Sequence, residues 1–409
     1  MSARRPASTR RTLLMSVYVP SALIAMSEGL LLPTLPLFAL QFDVSFGMAA
    51  LVIAASGLGT MVADVPSGMV LGRFGLKRTM IAGTGLLAGS LFLLGFTSFF
   101  PLLILYRLAD GVGRSMWALS RVSFIAEAID PSERGRAISI FGGLSRVGTF
   151  AGPVSGGLIA DAYGLRAAFI LAGCLAVIAL IVSMIYIDDT EVVAESSHRM
   201  RWALVWDMLK ENRRDLSAAS IAQLAGQMIR AGRQAIIPFY AESVLGLSAT
   251  QIGTIQSASS MVDMSLFFPA GYIMDRFGRK FTSVPSFTVM SIGMALIPLA
   301  GSYWTLMLVV ILIGFGNGLG SGAMMTLGTD LAPRGAVGEF MGLWRLVGDS
   351  GRAAGPLAVG SLADSTGFSA TAYILAAIGL ASSATLLFLV RETRVAPQPI
   401  RQSGTSPGD

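Results

Sequence analysis

Eight arginines and five acids stand inside long apolar runs of this 409-residue chain, and their chemistry is what the rest of the sequence must accommodate. The arginines are Arg107, Arg114, Arg121, Arg146, Arg230, Arg233, Arg345 and Arg352; the acids are Glu28, Asp64, Asp110, Asp263 and Asp349. A charge at the centre of a bilayer costs about 2.5–3.5 kcal/mol on insertion scales, so such groups belong in a protein interior or a wet cavity. On a helix, Arg107, Asp110, Arg114 and Arg121 fall within about 60° of one another. That stripe suits a helix lining a cavity, and it equally suits pairing with acids on neighbouring helices. Arg345, Asp349 and Arg352 repeat the pattern at spacings of four and three.

The chemistry open to these groups is ion pairing and proton carriage. A carboxylate three residues from an arginine can switch between ion pair and neutral acid as it takes up a proton. Glu28 and Asp110 are the best-placed carriers. With Arg107, Arg114, Arg230 and Arg233 they form the central candidate set, in which arginines outnumber acids four to two. A confined positive field attracts anions and repels cations, so the substrate is expected to be neutral, zwitterionic or anionic.

Other chemistries are poorly supplied. Cys174 is the one cysteine and lies in an apolar run; His198 is the one histidine and lies in a polar stretch. No disulfide framework, metal-ligand cluster or histidine-based catalysis is expected from that inventory. A phosphate-cradling loop of the G-x-x-x-x-G-K-[ST] type is absent, so ATP is not the energy source. The reading is of a non-enzyme without cofactor or metal, with no nucleic-acid partner.

The elements that must hold these charges are membrane helices. The chain is 53% hydrophobic and 13% charged, outside the range of ordinary soluble domains. Its apolar runs recur along the whole length, and many reach the roughly 20 residues that cross a bilayer. Rich in Leu, Ala and Gly rather than alternating, they read as helices, not barrel strands. Twelve spans are predicted, six in a bundle over 13–187 and six over 216–390. An N-terminal arm (1–12), a polar central linker (188–215) and a polar tail (391–409) complete the organisation.

The two bundles repeat each other. Gly68 to Arg78 recurs 203 residues later from Gly271, with the same spacing of glycines and basic residues between apolar runs. Gly148-x-x-x-Gly152-Pro153 in span five recurs as Gly351-x-x-x-Gly355-Pro356 in span eleven. Small residues at such positions let helices approach closely. Aligning the halves sets Glu28 against Arg230 and Arg146 against Asp349; opposite charges at pseudo-symmetric positions suit pairing between the halves.

Several of these motifs resemble signatures of the major facilitator superfamily. Gly271-x-x-x-Asp275-Arg276-x-Gly278-Arg279-Lys280 matches the family's loop between the second and third helices of a half; the first copy has Gly72 where the family has aspartate. Pro33-x-x-Pro36, Arg107-x-x-Asp110-Gly111-x-Gly113 and Gly148-x-x-x-Gly152-Pro153-x-x-Gly156-Gly157 look like those of the twelve-span drug:proton antiporters. Asp110 and Arg114 depart from that pattern, standing where a neutral polar and a small residue are usual. The resemblance implies two pseudo-symmetric six-helix bundles, alternating access, proton-coupled efflux of a small organic solute, and a span-four arginine in proton coupling. It also implies a clasp between the halves on the cytoplasmic side, here Arg73, Glu127, Arg134, Arg136, Asp275, Arg276 and Arg279. The alternatives are uptake of an anionic nutrient and, in another class, a non-transporting receptor of transporter fold. A monomer in the plasma (inner) membrane is expected, with the bilayer, a small-molecule substrate and the proton as partners.

The loops orient the chain. Those on the side of the N-terminus carry 21 Lys and Arg, whereas the other side carries Arg166 alone. Both termini and the central linker are therefore expected in the cytoplasm. A reporter fused after Asp409 should be active only as a cytoplasmic fusion; activity confined to the outside would overturn the orientation and the even number of spans.

Overall fold

The protein, as a computed structural model, is described over residues 14–128, 134–187, 213–333 and 335–393. It is all-helical. A π-helical turn, Leu14–Tyr18, leads into α1 (Val19–Leu40), followed by α2 (Phe46–Phe74), α3 (Leu76–Leu94), α4 (Phe100–Ala128), α5 (Arg134–Tyr163) and α6 (Leu165–Tyr186). The second half has α7 (Arg213–Ser243), α8 (Ala249–Ser265) with α9 (Phe267–Phe277), α10 (Lys280–Leu296), and α11 (Tyr303–Leu319) with α12 (Ala323–Leu331). Last comes α13 (Val337–Phe388), which Gly367 divides into spans eleven and twelve by turning to φ 79°, ψ 170°. The arm at 1–12, the linker over 188–212 and the tail from 394 lie outside the described residues.

Twelve spans are present, although among the described residues only six helices are individually long and apolar enough to cross a membrane. The difference has a physical cause. The α4 helix carries Arg107, Asp110, Arg114 and Arg121, α7 carries Arg230 and Arg233, and span eight is broken at Leu266. Polar groups and breaks lower the hydropathy of a span where neighbouring protein can satisfy them.

Within the first half α1 packs on α5 and α6, α4 on α2 and α3, and α3 on α6; the second half repeats this with α7 on α13, α8 on α11, and α10 on α11 and α13. The halves meet along α5 with α8 and along α2 with α13. The duplication extends to backbone detail. Gly75 and Gly278 open spans three and nine at φ 83° and 116°, and Gly164 and Gly367 open spans six and twelve at φ 88° and 79°. Only glycine takes that left-handed region without strain.

At the end away from the termini the halves are locked by two matching caps. The carboxylate of Asp161, at the end of α5, accepts from the Ala249 and Thr250 amides at 3.1 and 2.9 Å and from Ser248 Oγ at 2.7 Å. The carboxylate of Asp364 accepts from the Phe46 and Gly47 amides at 2.9 and 2.8 Å. In each case a serine one residue before the helix, Ser248 or Ser45, caps the next free amide, that of Gln251 or Met48. The first amides of a helix have no partner within it and carry partial positive charge. Each half thus supplies an anion to a helix start of the other.

Close backbone contact reinforces this end. A methyl group at Gly253 would strike Pro153 O, and one at Gly360 would strike Phe46 O. Between them the hydroxyl of Ser257 sits at the step after Pro153, donating to Phe150 O at 2.6 Å and accepting from Val154 N at 3.1 Å. Toward the other end the bridges are longer side chains: Arg345 to Asp64 at 3.4 Å and Arg146 to Ser321 Oγ at 2.9 Å.

Slight desolvation opposes ionisation of the largely exposed Asp161 carboxyl, but hydrogen bonds from Thr250, Ser248 and Ala249 outweigh it and hold the group below its ordinary pKa. A lowered folded-state pKa makes its contribution complete above the unfolded aspartate value of about 3.9, fading as pH falls below it. Closure at this end should therefore be insensitive to pH down to about 5 and weaken below about 4. Losing a helix cap costs on the order of 1 kcal/mol, roughly fivefold in population. Asp161→Ala with Asp364→Ala should accordingly lengthen the distance between spin labels at Phe99→Cys and Trp304→Cys in a Cys174→Ser background. An unchanged distance distribution would show that the caps do not hold this end shut.

Candidate functional site

Charge is concentrated where α4 crosses α2 and faces α1. Close packing fixes that crossing: a methyl at Gly111 would strike Ser56 O, and one at Gly59 would strike Leu108 O. The α4 backbone therefore lies against α2, and the stripe one turn on either side is held at the centre of the half.

Asp110 is fully buried and is the hub. Arg107 Nη1 donates to its Oδ2 at 2.6 Å, Arg114 Nη2 to both oxygens at 3.2 Å, and Ser56 Oγ to Oδ2 at 2.8 Å. Spacings of three and four residues place both guanidiniums over one carboxylate. Arg114 reaches further, to an ion pair with Glu28 of α1. Glu28 keeps 40% of its side chain exposed to the cavity, whereas Asp110 exposes none. The result is a continuous chain, Glu28–Arg114–Asp110–Arg107, in which Asp110 is sealed behind the two arginines.

The cavity between the halves measures about 460 Å³. Its first-half wall includes Glu28, Leu32, Ile53, Arg107 and Arg114; its second-half wall includes Gln227, Arg230, Arg233, Asp349 and Arg352. A smaller cavity of about 330 Å³ lies beside it, bounded by Arg146, Asp263, Asn317 and again Arg230. Arg230 Nη2 donates to Gly320 O at 3.1 Å and its guanidinium lies over the Phe287 ring, 5.1 Å from the centroid.

All six central candidates thus have places: Glu28, Arg107, Arg114, Arg230 and Arg233 line the cavity and Asp110 lies behind it. Arg121, the far end of the stripe, is not among the lining residues; its guanidinium sits 4.4 Å from the Trp117 ring centroid. The expected pairing between halves at pseudo-symmetric charges does not occur. Glu28 finds Arg114 in its own half, Asp349 finds Arg352 one turn away at 3.3 Å, and Arg146 lies over Phe267 at 4.1 Å. Glu28 and Asp349 are satisfied within their own halves, whereas Arg146 reaches Phe267 and Ser321 of the other half.

Of the clasp residues, Glu127, Arg134 and Arg136 have side chains outside the described residues. The others are engaged locally. Arg279 pairs with Asp330 at 2.7 Å, Arg276 Nη1 donates to Tyr272 OH at 2.5 Å, Arg73 lies 5.5 Å from the Phe74 ring centroid, and Asp275 is exposed. The glycine-proline motif is a packing surface. Gly148 and Gly152 sit against Ala25 and Gly29 of α1, and Gly351 and Gly355 against Leu224 and Met228 of α7. Pro153 faces Gly253 of α8, whereas Pro356 reaches the cavity wall.

Sequence reasoning missed Asp161 and Asp364, and Gln227 in the cavity wall; it named Arg352 among the intramembrane charges without placing it in the central set. The two aspartates did carry a signal: each stands three residues before a glycine, 203 residues apart, and the serines they work with share that offset.

Comparison with known proteins agrees with this architecture. The chain is 24% identical to "Uncharacterized MFS-type transporter MJ1560" of Methanocaldococcus jannaschii, over 86% of this chain and 91% of that protein. It is 23% identical to "Quinolone resistance protein NorA" of Staphylococcus aureus strain MSSA476, over 73% of this chain and 77% of that one. A bacterial homologue of the human lysosomal transporter Spinster, solved inward-facing and unoccupied, superposes with a TM-score of 0.77 at 14% identity, covering 97% of this chain and all of that one. The family description "Major Facilitator Superfamily" matches residues 18–214 and 220–407. With both halves matched and the fold shared end to end, the chain belongs to the Major Facilitator Superfamily: it is a multi-pass membrane transporter and not an enzyme.

Proposed function

We propose that the protein exports a small organic solute in exchange for protons, with Glu28 and Asp110 carrying the proton. The observation that carries this reading is the chain Glu28–Arg114–Asp110–Arg107, open to the cavity at Glu28 and with Asp110 sealed behind the arginines. Arg107 and Arg114 share Asp110 as counterion, so the protonation state of that carboxyl decides whether two buried guanidiniums are neutralised. A proton arriving at Asp110 frees Arg114 to turn wholly to Glu28 or to a bound solute; a proton arriving at Glu28 returns Arg114 to Asp110. Protonation thereby moves one arginine between a carboxylate open to the cavity and one sealed behind it, which links the proton to the charge that a solute meets. Conformational change is then rocking of the halves about the central site, with the Asp161 and Asp364 caps holding one end and Arg73, Glu127, Arg134, Arg136, Asp275, Arg276 and Arg279 available to the other.

Export rather than uptake is supported by the glycine-proline motif of span five, whose Pro153 step is occupied by Ser257 of the other half, and by relatives named for drug resistance. The loop charges support cytoplasmic termini in an inner membrane, and the protomer holds the whole cavity within one chain.

Asp110→Asn preserves size and the hydrogen bond from Ser56 while removing the charge. In proteoliposomes it should abolish solute movement driven by an imposed pH gradient, while counterflow exchange of the solute continues. Accumulation retained against a gradient would move coupling to Glu28, and loss of coupling in Glu28→Gln alone would then identify it. The most direct test of the reading as a whole uses inverted vesicles: a transported compound should discharge their proton gradient on addition.

A further inference from the structure

The two walls of the cavity differ in how their charges are balanced. In the first half two guanidiniums, Arg107 and Arg114, meet two carboxylates, Asp110 and Glu28, and the account closes. The second half contributes Arg230, Arg233 and Arg352, and among the residues lining the cavity its acid is Asp349. Asp349 is taken by Arg352 at 3.3 Å. Arg230 donates to a neutral carbonyl, that of Gly320, and its Nε is buried without an acceptor. Arg233 has no hydrogen-bond or ion-pair partner among the described residues. Asp263 acts electrostatically on both Arg230 and Arg233 without a direct ion pair to either; it accepts from Asn317 at 2.9 Å and faces the smaller cavity.

Three guanidiniums therefore face two carboxylates, and one positive charge is left over in a site enclosed by helices, where an unpaired charge is expensive. Such a charge is kept only where something else neutralises it. Resting on the reading of this cavity as the transport site, we infer that the substrate supplies the missing charge: it is an amphipathic organic anion, a carboxylate or an acid of like geometry. Its anionic group is held by Arg230, Arg233 and Arg352 of the second half, and its apolar body lies against Leu32 and Ile53 of the first. Guanidinium forks match planar oxyanions with two parallel hydrogen bonds. Gln227 and Gln234 on the same wall add neutral donors beside them. The volume of about 460 Å³ suits one drug-sized molecule. The division of labour follows: the first half keeps its charges in a closed network that handles protons, and the second half keeps an open one that takes the solute.

The test uses three probes of one shape and different charge, 1-naphthylacetate, 2-(1-naphthyl)ethanol and 2-(1-naphthyl)ethylammonium. Binding to the purified full chain in nanodiscs is measured by calorimetry, with no gradient, so the outcome is independent of whether Asp110 couples transport to protons. The anion should bind roughly tenfold or more tighter than the ammonium, with the alcohol between. Arg233→Gln and Arg352→Gln, each checked for an unchanged melting temperature, should each weaken the anion roughly tenfold and leave the alcohol unaffected; Arg233→Lys should recover part of the loss. The unaltered protein alone decides the sign, should a variant fail to fold. Equal or tighter binding of the ammonium, no measurable binding of the anion, or unchanged anion affinity in both glutamine variants would overturn the inference.

Discussion

A carboxylate sealed inside a membrane protein must be matched, and Asp110 is matched three times over, by Arg107, Arg114 and Ser56. The rest of the first half is arranged around that need. The close crossing of α4 on α2, set by Gly111 and Gly59, brings Ser56 within reach of α4. Arg114, placed between the two acids, ties the hub to Glu28 and so to the cavity. In a low-dielectric interior a charge pair is held strongly and a broken one is costly. A proton delivered to either acid therefore redistributes a large interaction, not a weak one.

Much of the fold was legible in the sequence because duplication and membrane insertion both leave coarse marks. Repeats at an offset of 203 residues, a polar linker near the middle and a strong bias of basic loops are one-dimensional signals. They survive without knowledge of which helix touches which. The charged stripe on α4 was legible for the same reason: it depends only on helical period. Partner choice was not. Aligning Glu28 with Arg230 and Arg146 with Asp349 invited pairs between the halves, yet each group found something nearer. Symmetry equates positions within two halves; it does not bring those two positions together.

The same symmetry, read for acids at helix ends instead of charges in helix centres, would have found Asp161 and Asp364. Their neighbours are conventional loop residues, and a lone aspartate before a Gly turn reads as ordinary punctuation. What gives them a role is that each cap lies in the other half. The glycine-proline motif illustrates a related limit. Its glycines work within a half, against α1 or α7, but Pro153 opens a step on α5 that Ser257 of α8 occupies. One motif serves both packing and the joint between halves, and nothing in its spacing separates the two.

At the end away from the termini the joint is built from caps, and that choice fits a structure that must open. A carboxylate facing a helix start satisfies amides that would otherwise turn to water. At the aqueous end of a bundle, water can do so with little loss when the halves part. An ion pair buried at the same place would leave two desolvated charges on separation. The Asp161 and Asp364 caps therefore bind the halves firmly enough to set a resting state and weakly enough to release it. Release energy must then come from the centre, where the charge balance is unequal. The first half carries a network complete in itself, and the second half carries arginines short of counterions. Filling that deficit changes the electrostatics between the walls by a whole charge. Such a change is large enough to overcome two caps of on the order of 1 kcal/mol each.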